Sequence, residues 1–153
     1  MTNLAFDVIH RLQGKTLATA ESCTGGGIGN ALTAISGASA VYKGGVISYC
    51  NEIKGKLLGV PEEMLATHGA VSAPVAEAMA QGARIALDAD IAVSVTGLAG
   101  PSGDDFGNPV GTVYIGYADD AHCLSQRYSF AGDRNEVRNQ AVEAALKLIL
   151  EYV

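Results

Sequence analysis

A serine lies in a glycine-rich turn near the start of the chain, within Thr19-Ala20-Glu21-Ser22-Cys23-Thr24-Gly25-Gly26-Gly27. The turn stands between a predicted strand and a predicted helix. In open α/β sheets, ligands bind beyond the carboxyl ends of strands, where the first N–H groups of the next helix can stabilise an oxyanion or bind phosphate. Ser22 is therefore a candidate nucleophile, and Cys23, Thr24, Gly25 and Gly26 are candidate substrate-binding positions.

The same turn has a simpler interpretation, because Ser and Thr are common helix caps and glycine suits a sharp turn. From the spacing alone, a capping role for Ser22 or Thr24 is the more common arrangement. The segment matches neither the GxSxG elbow nor the GxxxxGK[ST] phosphate loop, so neither of those enzyme classes follows.

A serine nucleophile needs a base, which is most often a histidine. None of the three histidines is predicted at the carboxyl end of a strand; they are His10, His68 and His122. Lysine is the other candidate, because burial lowers its pKa. Lys54 stands one turn into the helix after the second strand, and Tyr49, a further catalytic candidate, stands at the end of that strand. Lys54 can reach Ser22 if the two strands are neighbours; otherwise it is a solvated helix lysine like Lys56.

Three later loops could lie at the same rim: Val95-Thr96-Gly97-Leu98-Ala99-Gly100-Pro101, Asn108-Pro109-Val110-Gly111-Thr112 and Phe130-Ala131-Gly132-Asp133-Arg134. Thr96 offers a hydroxyl, and Gly97 and Gly100 offer backbone N–H groups. Arg134 and Arg138 are one helical turn apart, and arginine suits forked contacts with phosphate. We therefore expect Thr96, Gly97, Gly100 and Arg134 to contribute to substrate binding.

Cys23 is a rival nucleophile, because a helix N-terminus lowers the pKa of a thiol. It is equally typical of a small buried hydrophobic residue. Successive residues of a turn point in different directions, so at most one of Ser22 and Cys23 faces the site. No cluster of His, Cys and carboxylates has metal-ligand spacing, so we expect no metal and no other cofactor.

The elements that must position these residues alternate between helices and mostly buried strands. Helices are predicted over 4–12, 27–35, 51–58, from 61, over 72–87 and over 133–150, and strands over 16–20, 46–49, 91–96, 110–117 and 123–130. Asp133 is the expected cap of the last helix and Ser72 that of an earlier one. This order predicts a single domain over residues 1–153, an α/β fold with helices on both faces of a mixed sheet and an antiparallel last strand pair.

Composition limits the function classes. The chain of 153 residues has a net charge of −6, which argues against a nucleic-acid-binding protein. No apolar run is long enough to span a membrane, and no signal peptide is evident. The three cysteines, with no paired spacing, indicate a reducing compartment, so we expect a cytoplasmic protein.

Six ordered segments together resemble the CinA C-terminal domain family, the nicotinamide-nucleotide amidases. They are Ala20-Glu21-Ser22-Cys23-Thr24-Gly25-Gly26, Tyr49-Cys50-Asn51-Glu52-Ile53-Lys54, His68-Gly69-Ala70-Val71-Ser72, Thr96-Gly97-Leu98-Ala99-Gly100-Pro101, Pro109-Val110-Gly111-Thr112-Val113 and Gly132-Asp133-Arg134. Six segments in order over nearly the whole chain are far more specific than any one of them.

The resemblance implies hydrolysis of the carboxamide of nicotinamide mononucleotide (NMN), which yields nicotinate mononucleotide and ammonia. The family's proposed Ser-Lys dyad falls on Ser22 and Lys54. The implied fold is a three-layer α/β/α sandwich around a mixed, mostly parallel sheet, and the implied assembly is a homodimer. Many members carry an additional N-terminal domain linked to ADP-ribose pyrophosphatase activity; this chain has no room for it, so that activity is not expected.

Two other interpretations stay open from the sequence. A non-catalytic nucleotide-binding protein, associated with competence or DNA damage, would use the same glycine loops without Ser22 or Lys54. A thiol enzyme would use Cys23 instead of Ser22.

Overall fold

The computed structural model describes residues 1–153 and contains six α-helices, a short 3₁₀ helix at Ala38–Ala40 and five β-strands. In chain order they are α1 (Thr2–Arg11), β1 (Leu17–Glu21), α2 (Gly27–Thr33), β2 (Tyr42–Ile47), α3 (Asn51–Leu58), α4 (Glu62–His68), α5 (Ala73–Ala86), β3 (Ile91–Gly97), β4 (Thr112–Ala118), β5 (Cys123–Ser129) and α6 (Arg134–Tyr152). None of the helices combines the length and apolar character of a membrane span.

The strands form one sheet in the order β2-β1-β3-β4-β5. β1 runs parallel to both of its neighbours, whereas β4 is antiparallel to β3 and to β5. Only β4 therefore runs against the other four strands. This confirms the predicted mixed, mostly parallel α/β sheet and the antiparallel last pair.

Alternation along the strands divides the core between the two faces of the sheet. Leu17, Val93 and Val95 face a core built with α1, α2 and α6. Ala18 and Ala92 face a smaller core that includes side chains of α3, α4 and α5. Helices thus cover both faces, which makes the three-layer sandwich.

Small residues let α5 lie directly on the middle of the sheet. Ser94 on β3 donates from Oγ to the carbonyl oxygen of Ala76 at 2.6 Å. Gly116 is the residue paired with Ser94 on β4, and a Cβ at Gly116 would collide with the backbone of Ala76. A larger side chain at either position would therefore push α5 off the sheet.

The two predicted helix caps behave differently. Asp133 and Glu136 form a complete capping box at the start of α6. Ser72 occupies the N-cap position of α5, but its hydroxyl donates to the carbonyl of Gly69 at 2.9 Å instead of capping the helix. The prediction of a side-chain cap at Ser72 is wrong: the hydroxyl is oriented towards the Gly69 carbonyl, and its oxygen accepts from no N–H of the first turn of α5.

The second strand also differs from its predicted bounds. β2 is Tyr42–Ile47 and ends before Tyr49. The N–H of Ser48 still donates to the carbonyl of Glu21 at 2.8 Å, after which the chain turns into α3. Glu21 at the end of β1 pairs with Ile47 of β2 and Val95 of β3. The segments that leave these three parallel strands therefore meet at one edge of the sheet.

Candidate active site

Ser22 continues the line of β1 by one residue. Its N–H donates to the carbonyl of Val95 at 3.0 Å, as a further rung of the parallel ladder would. Since side chains alternate along a strand, Glu21 faces α2 and Ser22 faces the layer that contains α3. The side chain of Ser22 stands at the wall of a cavity, with 8% of the residue exposed.

Lys54 reaches Ser22 from α3. Its Nζ donates to Ser22 Oγ at 3.2 Å and to the carbonyl of Ser48 at 2.8 Å. Helix α3 begins at Asn51, directly after the chain leaves β2, so Lys54 lies one turn into the helix and beside the end of β1. Only 2% of Lys54 is exposed.

Burial controls the protonation of this lysine. Loss of solvent lowers the pKa of Lys54 below its usual 10.5, and the nearby thiols of Cys50 and Cys23 oppose that change more weakly. No carboxylate forms an ion pair with Lys54 to hold the charge. A larger share of neutral amine is the result, and a neutral amine can accept the proton of the Ser22 hydroxyl.

Cys23 is not suited to the nucleophile role. It is buried in the core with Ile28 and Val142. Loss of solvent raises the pKa of the Cys23 thiol to about 11, and the weaker effects of its own backbone N–H and of Arg138 do not offset it. The expected lowering of this pKa is wrong, because burial outweighs the local backbone. The thiol is protonated at neutral pH, and Cys23 is not an activated nucleophile.

The start of α2 is occupied by a protein carboxylate. Glu21, 2% exposed, accepts from Thr24 Oγ1 at 2.8 Å, from the N–H of Ile28 at 2.8 Å and from the N–H of Gly29 at 3.0 Å. An oxyanion or phosphate at those N–H groups, as the sequence suggested, would have to displace Glu21. An acid directly before the candidate nucleophile was the signal for this role, and sequence reasoning missed it.

Three predicted binding positions lie away from the cavity wall: Thr24, Gly25 and Gly26. The hydroxyl of Thr24 is used by Glu21. Gly25 and Gly26 have φ angles of 58° and 97°, in the left-handed region that favours glycine. These glycines shape the turn that presents Ser22, so their structural role is in the backbone.

The cavity itself has a volume of about 270 Å³ and lies at the edge where β1, β2 and β3 end. Eight predicted site residues line it: Ser22, Cys23, Tyr49, Lys54, Thr96, Gly97, Gly100 and Arg134. Sequence reasoning missed the rest of the wall: Asn51, Ala70, Val71, Leu98, Ala99 and Ser102. Most of these offer backbone or apolar surface, which carries no recognisable signal of chemistry in a sequence.

Arg134 and Tyr49 form one polar unit of this wall. Arg134 is the first residue of α6, placed there by the capping box. It donates from Nη2 to Tyr49 Oη and from Nη1 to the carbonyl of Gly100, both at 2.7 Å. The contacts hold the guanidinium at the cavity and leave its other N–H groups for a ligand.

Thr96 and Arg138 have protein partners as well. Thr96 Oγ1 donates to the carbonyl of Ala70 at 2.8 Å, which ties β3 to the loop before α5. Arg138 donates from Nε to the carbonyl of Cys23 at 2.9 Å and from Nη2 to that of Thr24 at 3.2 Å. Although Arg134 and Arg138 are one helical turn apart, Arg138 turns towards the Ser22 loop and does not line the cavity.

The histidines stand apart from this site. His10 and His68 are exposed, and His122 pairs with Asp119 at 3.0 Å in the turn between β4 and β5. None lines the cavity. No group of three or more His, Cys, Asp or Glu side chains is arranged to hold a metal ion.

Comparison with known proteins places the chain in a family. The model of the CinA C-terminal domain matches residues 2–153. A CinA-like protein of Geobacter sp. (strain M21) is 50% identical over 143 residues, which cover 94% of this chain and 34% of that protein. One from Synechococcus sp. (strain RCC307) is 50% identical over 96% of this chain and 36% of its own length. The chain thus spans about a third of the length of these curated relatives.

Solved structures show the same fold. The competence damage-inducible protein A of Klebsiella pneumoniae superposes with a TM-score of 0.96 at 38% identity, covering 99% of this chain and 95% of that one. A competence-damaged protein (CinA) superfamily protein from Escherichia coli gives a TM-score of 0.97 at 36% identity, over 99% of this chain and 90% of that one. The family predicted from the six segments is confirmed: the chain belongs to the CinA C-terminal domain family.

Proposed function

We propose that this chain hydrolyses the carboxamide of NMN to nicotinate mononucleotide and ammonia, with Ser22 as nucleophile and Lys54 as general base. The observation that carries the proposal is the 3.2 Å separation of Lys54 Nζ from Ser22 Oγ, inside a buried site that lowers the pKa of Lys54. A nucleophile and a base within hydrogen-bond distance, with no histidine near, is the arrangement that a Ser-Lys amidase needs.

In the first half of the reaction, the Oγ of Ser22 attacks the carboxamide carbon and its proton passes to the neutral amine of Lys54. The resulting tetrahedral intermediate carries its negative charge on the former carbonyl oxygen, where backbone N–H donors stabilise it. The C–N bond then breaks, and Lys54 returns the proton to the leaving nitrogen, which departs as ammonia.

In the second half, water attacks the acyl-enzyme ester. Lys54, again neutral, accepts a proton from that water and returns it to Ser22 Oγ as the ester bond breaks. Nicotinate mononucleotide leaves and the resting dyad is restored. The carbonyl of Ser48 accepts from Lys54 Nζ at 2.8 Å, and this contact keeps the amine in place through both halves.

Arg134 is the proposed ligand of the 5′-phosphate. It lines the same cavity as Ser22, and its contacts with Tyr49 and Gly100 fix the guanidinium beforehand. A pre-positioned guanidinium loses little side-chain entropy when it binds phosphate. In this proposal Tyr49 contributes to catalysis through Arg134, while Thr96, Gly97 and Gly100 form the wall beside the substrate.

A homodimer, a cytoplasmic location and action as one domain over residues 1–153 complete the proposal. They are supported by the family resemblance and by the cysteine usage, and they stay predictions.

The test is ammonia release from NMN, with the product identified by mass spectrometry. Wild type and a Ser129→Ala control, altered at an exposed serine of β5, should release ammonia at the same rate, and Ser22→Ala should release none. Full turnover by Ser22→Ala would exclude the serine mechanism. Binding of NMN by wild type without ammonia release would favour the non-catalytic nucleotide-binding interpretation instead.

A further inference from the structure

The backbone N–H groups of the two buried residues directly after Ser22 have no oxygen acceptor in the protein. They belong to Cys23, which is 5% exposed, and to Thr24, which is 1% exposed, and neither donates a hydrogen bond to any protein oxygen. Buried backbone N–H groups are nearly always paired in folded proteins. Of these two residues, Cys23 lines the cavity beside Ser22 and Thr24 does not, so the N–H of Cys23 is the one with the place and the chemistry of an oxyanion donor.

The direction of each N–H group is set by the carbonyl of the same peptide, because a trans peptide is planar and its C=O and N–H point in opposite directions. The carbonyl of Ser22 accepts from the N–H of Gly25 at 3.0 Å, which fixes the N–H of Cys23 through the local turn. The carbonyl of Cys23 has a different partner: it accepts from Arg138 Nε at 2.9 Å.

Arg138 comes from α6, on the opposite side of the sheet from Lys54, and it is 115 residues away from Cys23 in the sequence. It holds the Cys23 carbonyl on the α6 side and so fixes the backbone of Cys23, the residue whose N–H follows Ser22. Its second contact, from Nη2 to the carbonyl of Thr24 at 3.2 Å, anchors the next peptide too.

Glu21 restrains the same loop from its other end. Its carboxylate accepts from Thr24 Oγ1 and from the first turn of α2. The Thr24 hydroxyl and the start of α2 are therefore bonded to Glu21, and the carbonyls of Cys23 and Thr24 are bonded to Arg138. Among the buried residues of this loop, Cys23 and Thr24 are the ones whose N–H groups these restraints leave without an oxygen acceptor.

We propose that Arg138 is a positioning residue: by holding the carbonyls of Cys23 and Thr24 it fixes the turn that presents Ser22 Oγ and the N–H of Cys23, the oxyanion donor, to the cavity. Arg138 does not touch the substrate, since it does not line the cavity. The inference rests on the proposed Ser22 mechanism, but it applies to any acyl or phosphonyl group that reacts with Ser22.

The experiment compares wild type with Arg138→Ala, Arg138→Lys and the control Arg127→Ala, which alters an exposed arginine of β5. One readout is ammonia release from NMN. The second is phosphonylation of Ser22 by a fluorophosphonate, in which Ser22 Oγ displaces fluoride from phosphorus, its proton goes to Lys54, and a phosphoryl oxygen faces the N–H of Cys23. Circular dichroism and the thermal midpoint of each variant report on folding.

For Arg138→Ala we expect kcat and the phosphonylation rate to fall together by about 100-fold, with KM changed by no more than about threefold, because a misdirected oxyanion donor acts on the transition state. The pH dependence should stay as in wild type, since Lys54 is untouched. Millimolar guanidinium should restore part of the activity of Arg138→Ala and none of that of Ser22→Ala. Arg138→Lys, which keeps a single donating charge, should fall between wild type and Arg138→Ala.

Three results would overturn the inference: a folded Arg138→Ala with wild-type kcat, a loss confined to KM, or a loss in Arg138→Ala and Arg138→Lys that only tracks lowered thermal stability and does not respond to guanidinium. If wild type releases no ammonia from NMN but is phosphonylated at Ser22, the proposed substrate is wrong and the labelling rates still decide the role of Arg138. A wild type that does neither overturns both proposals.

Discussion

Lys54 Nζ lies 3.2 Å from Ser22 Oγ, although 32 positions separate the two residues in the chain. The contact is built from backbone structure: β1 and β2 are parallel neighbours, and α3 begins four residues after β2 ends. Both residues are buried. The pair is thus positioned by the sheet and by the helix that follows β2.

The two adjacent candidates for the nucleophile can be separated by substitution. Ser22→Ala should lower kcat for ammonia release on the order of 10⁴-fold or more, because nothing replaces the attacking oxygen. Cys23→Ala should keep kcat within a few-fold of wild type and lower the free energy of unfolding by about 1 kcal/mol, because a buried sulfur is lost. Steady-state kinetics and urea unfolding measure the two effects. An equal loss of kcat in both variants would contradict the assignment.

Lys54 should lower the free energy of unfolding and be essential for activity. Its pKa is lower in the folded state than in the unfolded chain, so the folded state binds fewer protons and wild-type stability rises with pH. Lys54→Met removes this cost; we expect the variant to be inactive and more stable than wild type to urea at neutral pH. The gain should shrink as pH approaches the ordinary value of 10.5.

The matched control is Lys56→Met, an exposed lysine on the same helix. It should keep full activity and show no such pH-dependent difference in stability. A Lys54→Met variant that loses stability most strongly at neutral pH would contradict the burial argument.

The pH dependence of the reaction should follow the ionisation of Lys54. The neutral amine of Lys54 is the active base, so kcat/KM should rise with pH and level off above the lowered pKa of Lys54. The midpoint should lie below 10.5, the usual lysine value. Rates of NMN hydrolysis in buffers of constant ionic strength measure it. A rate that is flat across the neutral and alkaline range would exclude Lys54 as the base.

Arg134 should favour substrates that carry the 5′-phosphate over those that lack it. Arg134→Ala should raise KM for NMN by about 10- to 100-fold, the equivalent of losing a charge-assisted hydrogen bond. Tyr49→Phe removes only the contact that orients Arg134 and should have a smaller effect. Nicotinamide riboside, which lacks the phosphate, is the matched control substrate: its kcat/KM should be the same in wild type and Arg134→Ala. A parallel loss on both substrates would place Arg134 elsewhere in the mechanism.

Glu21 should stabilise the loop that carries Ser22. In Glu21→Gln one carboxylate oxygen becomes an NH₂ group, which cannot accept from the N–H groups of α2. We expect a loss of about 1–3 kcal/mol in the free energy of unfolding, as for a buried donor left without an acceptor. The control Glu143→Gln disrupts an exposed ion pair with Lys147 and should cost no more than about 0.5 kcal/mol. Equal losses in urea unfolding would contradict the role of Glu21.

The sequence by itself determined the local structure of this protein. Apolar periodicity and caps are properties of neighbouring residues, so the predicted helix over 51–58 coincides with α3, and the capping box at Asp133 starts α6. The six ordered segments also determined the family, because each keeps its own pattern of residues wherever it lies in space. Local signals were misleading where tertiary contacts or burial decided the outcome, as for the cap predicted at Ser72 and the pKa expected for Cys23.

Tertiary structure alone decided which side chains meet. The strand order places β1 between β2 and β3, and that order brings Lys54 to Ser22. The roles of Glu21 and Arg138 depend on which face of the sheet each one occupies, and the arginine acts across 115 residues of chain. The raised pKa of Cys23 likewise comes from burial by distant helices. Burial and long-range contacts arise from packing between elements, so the spacing of residues along the chain does not contain them.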